Sequence, residues 1–388
     1  MRRARALALT AAVVTAMAAC GSGDSGSGSA SGSDSGGGAA QEVLIRSIND
    51  LTGPVAKTGN NVVKGAQVAI DEINESGMLD NVTLALDTQD TAGQPQTATS
   101  LYTQAASDDS VSVVLGPVSS AQAQAVAPLA DRSQLPVVFV QSGSEGVVVG
   151  DYTYRATAPM GTYYGLAFQK MKSEGVKTIS VVYNSTFPTL QELGEDIVPQ
   201  LAKENGIEIL SSTGVQQATT DFSSPMSKIA EDDPDAAVIL LIQAQNVTAA
   251  QQLAQTGYDK PVYANQSASG NLAPAGDTAV GWMWPSDFNV EQPGDATEKF
   301  VQLYTEAEGG APDNWAAEGY DAVWWVARAI EASGDASREG IQKGLDQVAE
   351  EGFTGAMGEL TFEGRDMRVE GVLVEWDGTK EVIVDAAS

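Results

Sequence analysis

The sequence predicts an α/β protein with two similar lobes, each built around a parallel sheet. Three observations carry this. Short β-rich runs alternate with helical stretches along most of the chain. The run Val238-Ile-Leu-Leu-Ile242 is apolar throughout, as expected of a strand with helices on both faces. About two sets of four strand–helix units are present, one before roughly Ala158 and one after it.

Taken in order, the expected strands are Val43–Ile48, Val82–Asp87, Val111–Leu115 and Pro136–Val140. Thr178–Tyr183, Ile207–Leu210, Ala236–Ile242 and Pro261–Ala264 follow. The expected helices are Asn61–Glu75, Gln96–Ala106, Ala121–Arg132, Tyr163–Glu174, Leu190–Asn205, Phe222–Glu231 and Val247–Thr256. In the first helix Val62, Ala66, Ala69 and Ile73 fall on one face at helical spacing. Near the end, Trp315–Ala332 reads as a long helix burying Tyr320, Val323, Trp324 and Ala327. Gly355–Phe362, Val372–Trp376 and Glu381–Val384 read as β segments, with a turn at Asp377-Gly378.

Composition removes whole classes of function. The 388 residues carry 51 acidic and 21 basic side chains, a net charge of −30, no histidine and one cysteine. Nucleic-acid binding needs clustered Lys and Arg, which this balance argues against. The commonest general base and the commonest metal ligand are both missing. One cysteine makes neither an internal disulfide nor a thiolate metal cluster. No GxxxxGK[ST] loop, HExxH helix or GxSxG elbow occurs. An enzyme, a cofactor and a resident metal are therefore not expected. Asp87 and Asp90 read as a strand end and a loop cap rather than a catalytic pair.

The first forty residues read as an address and a tether. Arg2, Arg3 and Arg5 precede an apolar run from Ala6 to Ala19, too short to span a bilayer. Residues 1–19 thus read as an export signal. The exit Met17-Ala18-Ala19-Cys20 resembles a bacterial lipoprotein box, which implies lipidation of Cys20 and anchoring to the outer face of the cell membrane. Residues 20–41 are mostly Gly, Ser, Ala and Asp, a composition that behaves as a flexible leash. The GxGxxG at Gly21, Gly23 and Gly26 lies in that leash, with no strand before it and no helix after it.

Five segments resemble, in order, the type I periplasmic solute-binding proteins of the leucine/isoleucine/valine-binding branch, which serve ABC importers. They are SINDLTGPVAKTGNNVVKGAQVAIDEIN from Ser47 to Asn74, VSVVLGPVSSAQAQAVAPLADRSQLPVVF, YTYRATAP, AAEGYDAV and GAMGELTFEG. The resemblance implies two Rossmann-like lobes joined by a three-crossing hinge. Lobe 1 would comprise 43–158 and 288–365, and lobe 2 would comprise 159–287 and 366–385. It also implies a small-molecule ligand in the interlobe cleft, at the C-terminal ends of strands. Delivery to ABC permease subunits is implied. The same body could instead present its closed form to a membrane receptor.

Site residues follow by matching position. Ser119 and Ser120, between the strand Val111–Leu115 and a helix, are expected to hold a ligand carboxylate. A serine there presents hydroxyl and amide donors to an anion. Gln141, Ser142, Gly143 and Ser144 are expected to add contacts from a second loop. Phe187 is the expected aromatic wall of lobe 2. Gln243 and Gln266 follow buried strands of that lobe. Amino-acid binders place carboxylates near the ligand's ammonium, where this chain has Gly161 and Gln266. Thr58 stands where an aromatic is usual. The charge an ammonium needs is thus absent from the matching positions, and the Gln-rich strand ends suit an amide or other neutral polar ligand as well as an amino acid.

Overall fold

The computed structural model describes residues 41–384; the expected signal peptide, Cys20 and most of the leash lie outside them. The first half runs β1 (Gln41–Asn49), α1 (Ala56–Ser76), β2 (Val82–Asp90), α2 (Pro95–Ala106), β3 (Val111–Leu115), α3 (Ser120–Ser133), β4 (Val137–Phe139) and β5 (Thr153–Arg155). The chain then crosses to a second set. This runs α4 (Met160–Ser173), β6 (Thr178–Asn184), α5 (Pro188–Glu192), α6 (Val198–Asn205), β7 (Glu208–Val215), α7 (Ser223–Asp232), β8 (Ala236–Leu240), α8 (Ala244–Gln255), β9 (Val262–Ala264) and β10 (Trp282–Ser286). A π-helical turn, Leu193–Ile197, joins α5 to α6. The chain returns through α9 (Asp295–Glu308), α10 (Asn314–Ser333), α11 (Arg338–Glu351), β11 (Phe353–Gly355), β12 (Gly358–Glu363) and β13 (Asp366–Arg368). It crosses a third time into β14 (Val372–Trp376) and β15 (Glu381–Val384).

Two sheets result. One has the order β11-β12-β13-β5-β4-β3-β1-β2, the other β15-β14-β10-β9-β8-β6-β7. Each is parallel through its centre and antiparallel at one edge, at β11–β13 and at β14–β15. The two-lobed α/β expectation is met, with mixed edges added. The central strands β8 and β4 are buried at every residue, as two-sided helix cover requires. β13 pairs with Arg155 in the first sheet, so the third crossing follows Arg368, three residues beyond the 365/366 boundary that matching suggests.

The tail helix departs from its expected face. Trp324 is half-buried, while Trp325 is sealed. α10 is wrapped by α1 on one side and α11 on another, so most of its circumference is core. A single-stripe reading is too narrow for it. Close approach of α1 and α10 needs two glycines: a Cβ on Gly65 would strike Ala316 backbone, and one on Gly319 would strike Val62 backbone. This contact fixes the first turns of α10, and with them Asn314 and Glu318, against lobe 1.

The crossings are held by an ion pair whose guanidinium is buried and whose carboxylate is partly exposed. Arg155, at the end of β5, donates through Nε and Nη2 to Asp366 of β13 at 2.7 and 2.9 Å. Its Nη1 donates to the carbonyls of Ser142 and Ser144 at 3.0 and 2.6 Å. One guanidinium therefore ties the loop after β4 to the strand that leads into the third crossing. Removing one partner of such a pair strands the other charge. Arg155→Met should cost about 3 kcal/mol in urea unfolding, and adding Asp366→Asn should recover part of it. Equal loss in the single and double variants would show that the pair is not what holds the crossing.

Candidate functional site

The C-terminal ends of β3 and β4 in one lobe face those of β6, β8 and β9 in the other, and polar side chains meet across the gap. Ser120 opens α3 and is fully buried. Its hydroxyl lies 2.9 Å from that of Thr189, in the first turn of α5 in lobe 2. Ser144 closes the group: its amide donates to Ser120 Oγ at 3.2 Å, and its hydroxyl is 3.2 Å from Thr189 Oγ1. Gly143 adjoins them, and a Cβ there would press on Thr189 at 3.1 Å. Three hydroxyls and a helix N-terminus form a site that can donate to an oxyanion. Ser119 occupies the N-cap of α3 without a side-chain capping bond. Ser142 turns away, its hydroxyl donating to Pro117 O at 2.8 Å within lobe 1.

Two glutamines mark the cleft by their backbone. Gln141 and Gln243 have φ of +56° and +33°, a conformation that costs a β-carbon residue strain. Gln141 N donates to Thr157 Oγ1 at 2.7 Å. Gln243 Nε2 donates across the gap to Thr58 Oγ1 at 3.1 Å, at one edge of a cavity of about 250 Å3 shared with Pro54. Phe187 is half-buried and packs against the cores of both lobes. Further bridges run from Lys57 Nζ to Gly270 O, and from Glu145 N to the Glu192 carboxylate.

Gln266 sits deepest. It is fully buried, accepts from Tyr163 Oη, and donates through Nε2 to Asp287 Oδ1 and to Glu318 Oε1, the latter at 3.3 Å. Here the sequence expectation is corrected. Gln266 itself is neutral, but two carboxyls from the second crossing and from α10 stand directly against it, so the region does not lack counter-charge. Gly161 is no substitute position, because a side chain there would run into Ile197. Burial pushes the Asp287 carboxyl up to about 7 and Glu318 well above the usual carboxylate range. With both ionised, Asp287 Oδ2 and Glu318 Oε2 have no donor; with one proton between them the pair satisfies itself.

Most of the expected residues therefore converge: Ser120, Gly143 and Ser144 with Thr189, Gln243 with Thr58, and Gln266 with Tyr163, Asp287 and Glu318. Ser142, Ser119 and Gln141 support the loops. Thr189, Tyr163 and Asp287 carried no sequence signal of their own. Glu318 lay inside AAEGYDAV, where it and Asp321 are the two acidic residues of a largely apolar helical stretch, and that was the available clue.

A family model described as periplasmic binding protein matches residues 43–379. The chain belongs to that family. It falls in the type I, leucine/isoleucine/valine-binding-like branch, whose members work outside the cytoplasm and bind solutes rather than transform them. A leucine-, isoleucine-, valine-, threonine- and alanine-binding protein of Pseudomonas aeruginosa is 25% identical over 82% of this chain and 86% of its own. Leu/Ile/Val-binding protein homolog 1 of Brucella abortus is 24% identical over 88% and 92%. Among solved structures, the leucine-binding protein LivK of Thermotoga maritima superposes with a TM-score of 0.80 at 23% identity, covering 88% of this chain and 97% of its own. An R. palustris solute-binding protein in complex with benzoate reaches 0.80 at 18% identity, covering 89% and 96%. These likenesses establish the fold.

The acid pair makes this binding protein's stability depend on pH in a definite direction. Facing Asp287 are Glu318, Asp313, Asp321, Gln266 and Tyr163. Its carboxyl titrates near 7 when folded and near 4 when unfolded, so between those values the folded state holds more protons. Stability from the protonated form is therefore full at low pH and is lost as pH rises toward 7. Asp287→Asn should raise the Tm at pH 8 by about 2 °C more than at pH 5. The same difference at both pH values would contradict this reading.

Proposed function

We propose that this protein is the extracytoplasmic, lipid-anchored receptor of an ABC importer, capturing a small polar solute of amino-acid or amide-like chemistry between its lobes. The hydroxyl group formed by Ser120, Ser144 and Thr189 carries the reading. It draws on both lobes and leaves donors that a ligand's carboxylate or amide oxygen can use in place of one another's. Relatives named for branched-chain amino acids and a structural neighbour holding benzoate share a carboxylate in their ligands, which supports an oxyanion at this point. The signal-like N-terminus, the lipobox-like Met17-Ala-Ala-Cys20 and the Gly/Ser leash support attachment to the membrane that carries the permease. Ligand-binding roles fall to Ser120, Ser144, Gly143, Phe187, Gln243 and Gln266, with Ser119, Gln141 and Ser142 shaping the loops.

A thermal-shift screen of amino acids, short amides and carboxylates tests the ligand class, followed by calorimetry of the best compound. Ser120→Ala should weaken its binding at least tenfold, about 1.4 kcal/mol, through loss of one charge-assisted hydrogen bond. Unchanged affinity would remove the oxyanion role. For the anchor, Cys20→Ala should release the protein into the medium and abolish metabolic labelling with palmitate. Retention at the membrane by the variant would dismiss the lipid.

A further inference from the structure

Outside the solute cleft the lobes enclose a second cavity, of about 490 Å3. Lobe 1 contributes Asn61 of α1, Tyr304 of α9 and Asn314 of α10. Lobe 2 contributes Gly270 and Trp376, and the second crossing contributes Phe288. None of Ser120, Ser144, Thr189, Gln243 and Gln266 lines it. Lys57 ties its two walls together, donating from α1 to Gly270 O of lobe 2. The charged groups of the lining are already matched. Lys64 pairs with Glu308 at 2.7 Å, and Lys380 pairs with Glu291. Asp313 accepts from Asn61 Nδ2 at 2.6 Å, and Glu381 accepts from Gly270 N. Two neutral groups are not matched. Trp376 is 7% exposed and its Nε1 has no acceptor; Asn314 is 1% exposed and its Oδ1 has no donor. Asn314 Nδ2 is turned to Glu318 Oε1 at 3.5 Å, which leaves the oxygen as the free end of the amide.

A buried polar atom without a partner costs free energy that an occupant recovers by bonding to it. Here the unmet donor belongs to lobe 2 and the unmet acceptor to lobe 1. One molecule that serves both needs an acceptor, a donor and no charge. It also needs an apolar body to lie against Phe288, Tyr304 and Pro312. A primary carboxamide on a flat ring has that composition. We propose that this cavity is a second binding site, separate from the solute cleft, which takes a small uncharged carboxamide between Trp376 Nε1 and Asn314 Oδ1. The site goes beyond the solute-binding reading and does not depend on the solute's identity. An occupant that reaches both lobes keeps its two bonds only while the lobes are together, so it favours that arrangement. A solute that closes the cleft tightens the carboxamide's binding, and the carboxamide tightens the solute's by the same factor. The cavity is thereby a regulatory site beside the second crossing.

Benzamide is the probe, titrated by calorimetry against the full chain in detergent at pH 7.5. It should bind saturably, at a single site. Methyl benzoate has the same ring and an acceptor but no N–H, and should bind about fivefold more weakly or worse, the loss of one hydrogen bond. Benzamide should weaken by a similar factor, about fivefold, in Trp376→Phe and in Asn314→Ala. Spin labels, one on each lobe, should report a shorter mean distance when benzamide saturates the protein. The contrast between the two compounds is read on the unaltered chain and stands even if a variant folds poorly. No saturable binding, equal binding of both compounds, full benzamide binding by both variants, or an interlobe distance that benzamide leaves unchanged would overturn the site. So would loss of benzamide binding in Ser120→Ala alone, which would put the compound in the solute cleft. Each of these failures leaves the solute-binding reading standing. That reading falls on its own test, if no screened solute stabilises the protein.

Discussion

Three hydroxyls from two lobes meet over a few ångströms, and the arrangement of the cleft turns on that meeting. Ser120 opens the helix that follows β3 and Ser144 belongs to the loop that follows β4, both leaving the first sheet, and Thr189 belongs to a short helix that follows β6 of the second. Hydroxyls buried together must bond to one another or to something else, because an unmet polar group in a closed seam costs about 1–3 kcal/mol. They can thus close on each other or on a ligand oxygen that offers better acceptors. Under the proposed function, this near-balance is what lets a solute hold the lobes together.

The surroundings make the balance specific. Arg155 sets the loop that carries Ser144 by gripping two of its carbonyls, and takes its own counter-charge from β13, next to the third crossing. Movement at the crossings and the shape of the ligand loop therefore share one side chain. At the other end of the cleft, the close packing of α1 on α10 through Gly65 and Gly319 presents Asn314 and Glu318 to the second crossing. The net charge of −30 adds a field that favours cations and resists self-association.

Much of this was legible in the sequence, for identifiable reasons. Strands such as Val111–Leu115 were found to the residue because turn residues bracket an apolar run. Ser120, Ser144 and Gln266 drew notice because ordered motifs place them after strands, and the structure brings each of them to the gap between the two sheets. β10, α9, α11 and the short strands β5 and β13 were not read. Trp282–Ser286 is rich in Trp and contains Pro285, which obscures period two, and three-residue strands are defined by partners elsewhere in the chain. Thr189, Tyr163 and Asp287 could not be read because their roles arise only when distant elements face each other. The missing charge at Gln266 was misread for the same reason: position-by-position matching has no view of a carboxyl arriving from another crossing.

The central claim is that a solute switches the lobes between apart and together, and a distance measurement tests it most directly. Spin labels at Gln96→Cys and Ala218→Cys, in a chain whose Cys20 is replaced, sit on exposed cleft-side positions of opposite lobes. Electron–electron dipolar spectra should show a longer distance in solute-stripped protein and a single shorter one with the solute restored. One distribution, identical in both conditions, would contradict the account.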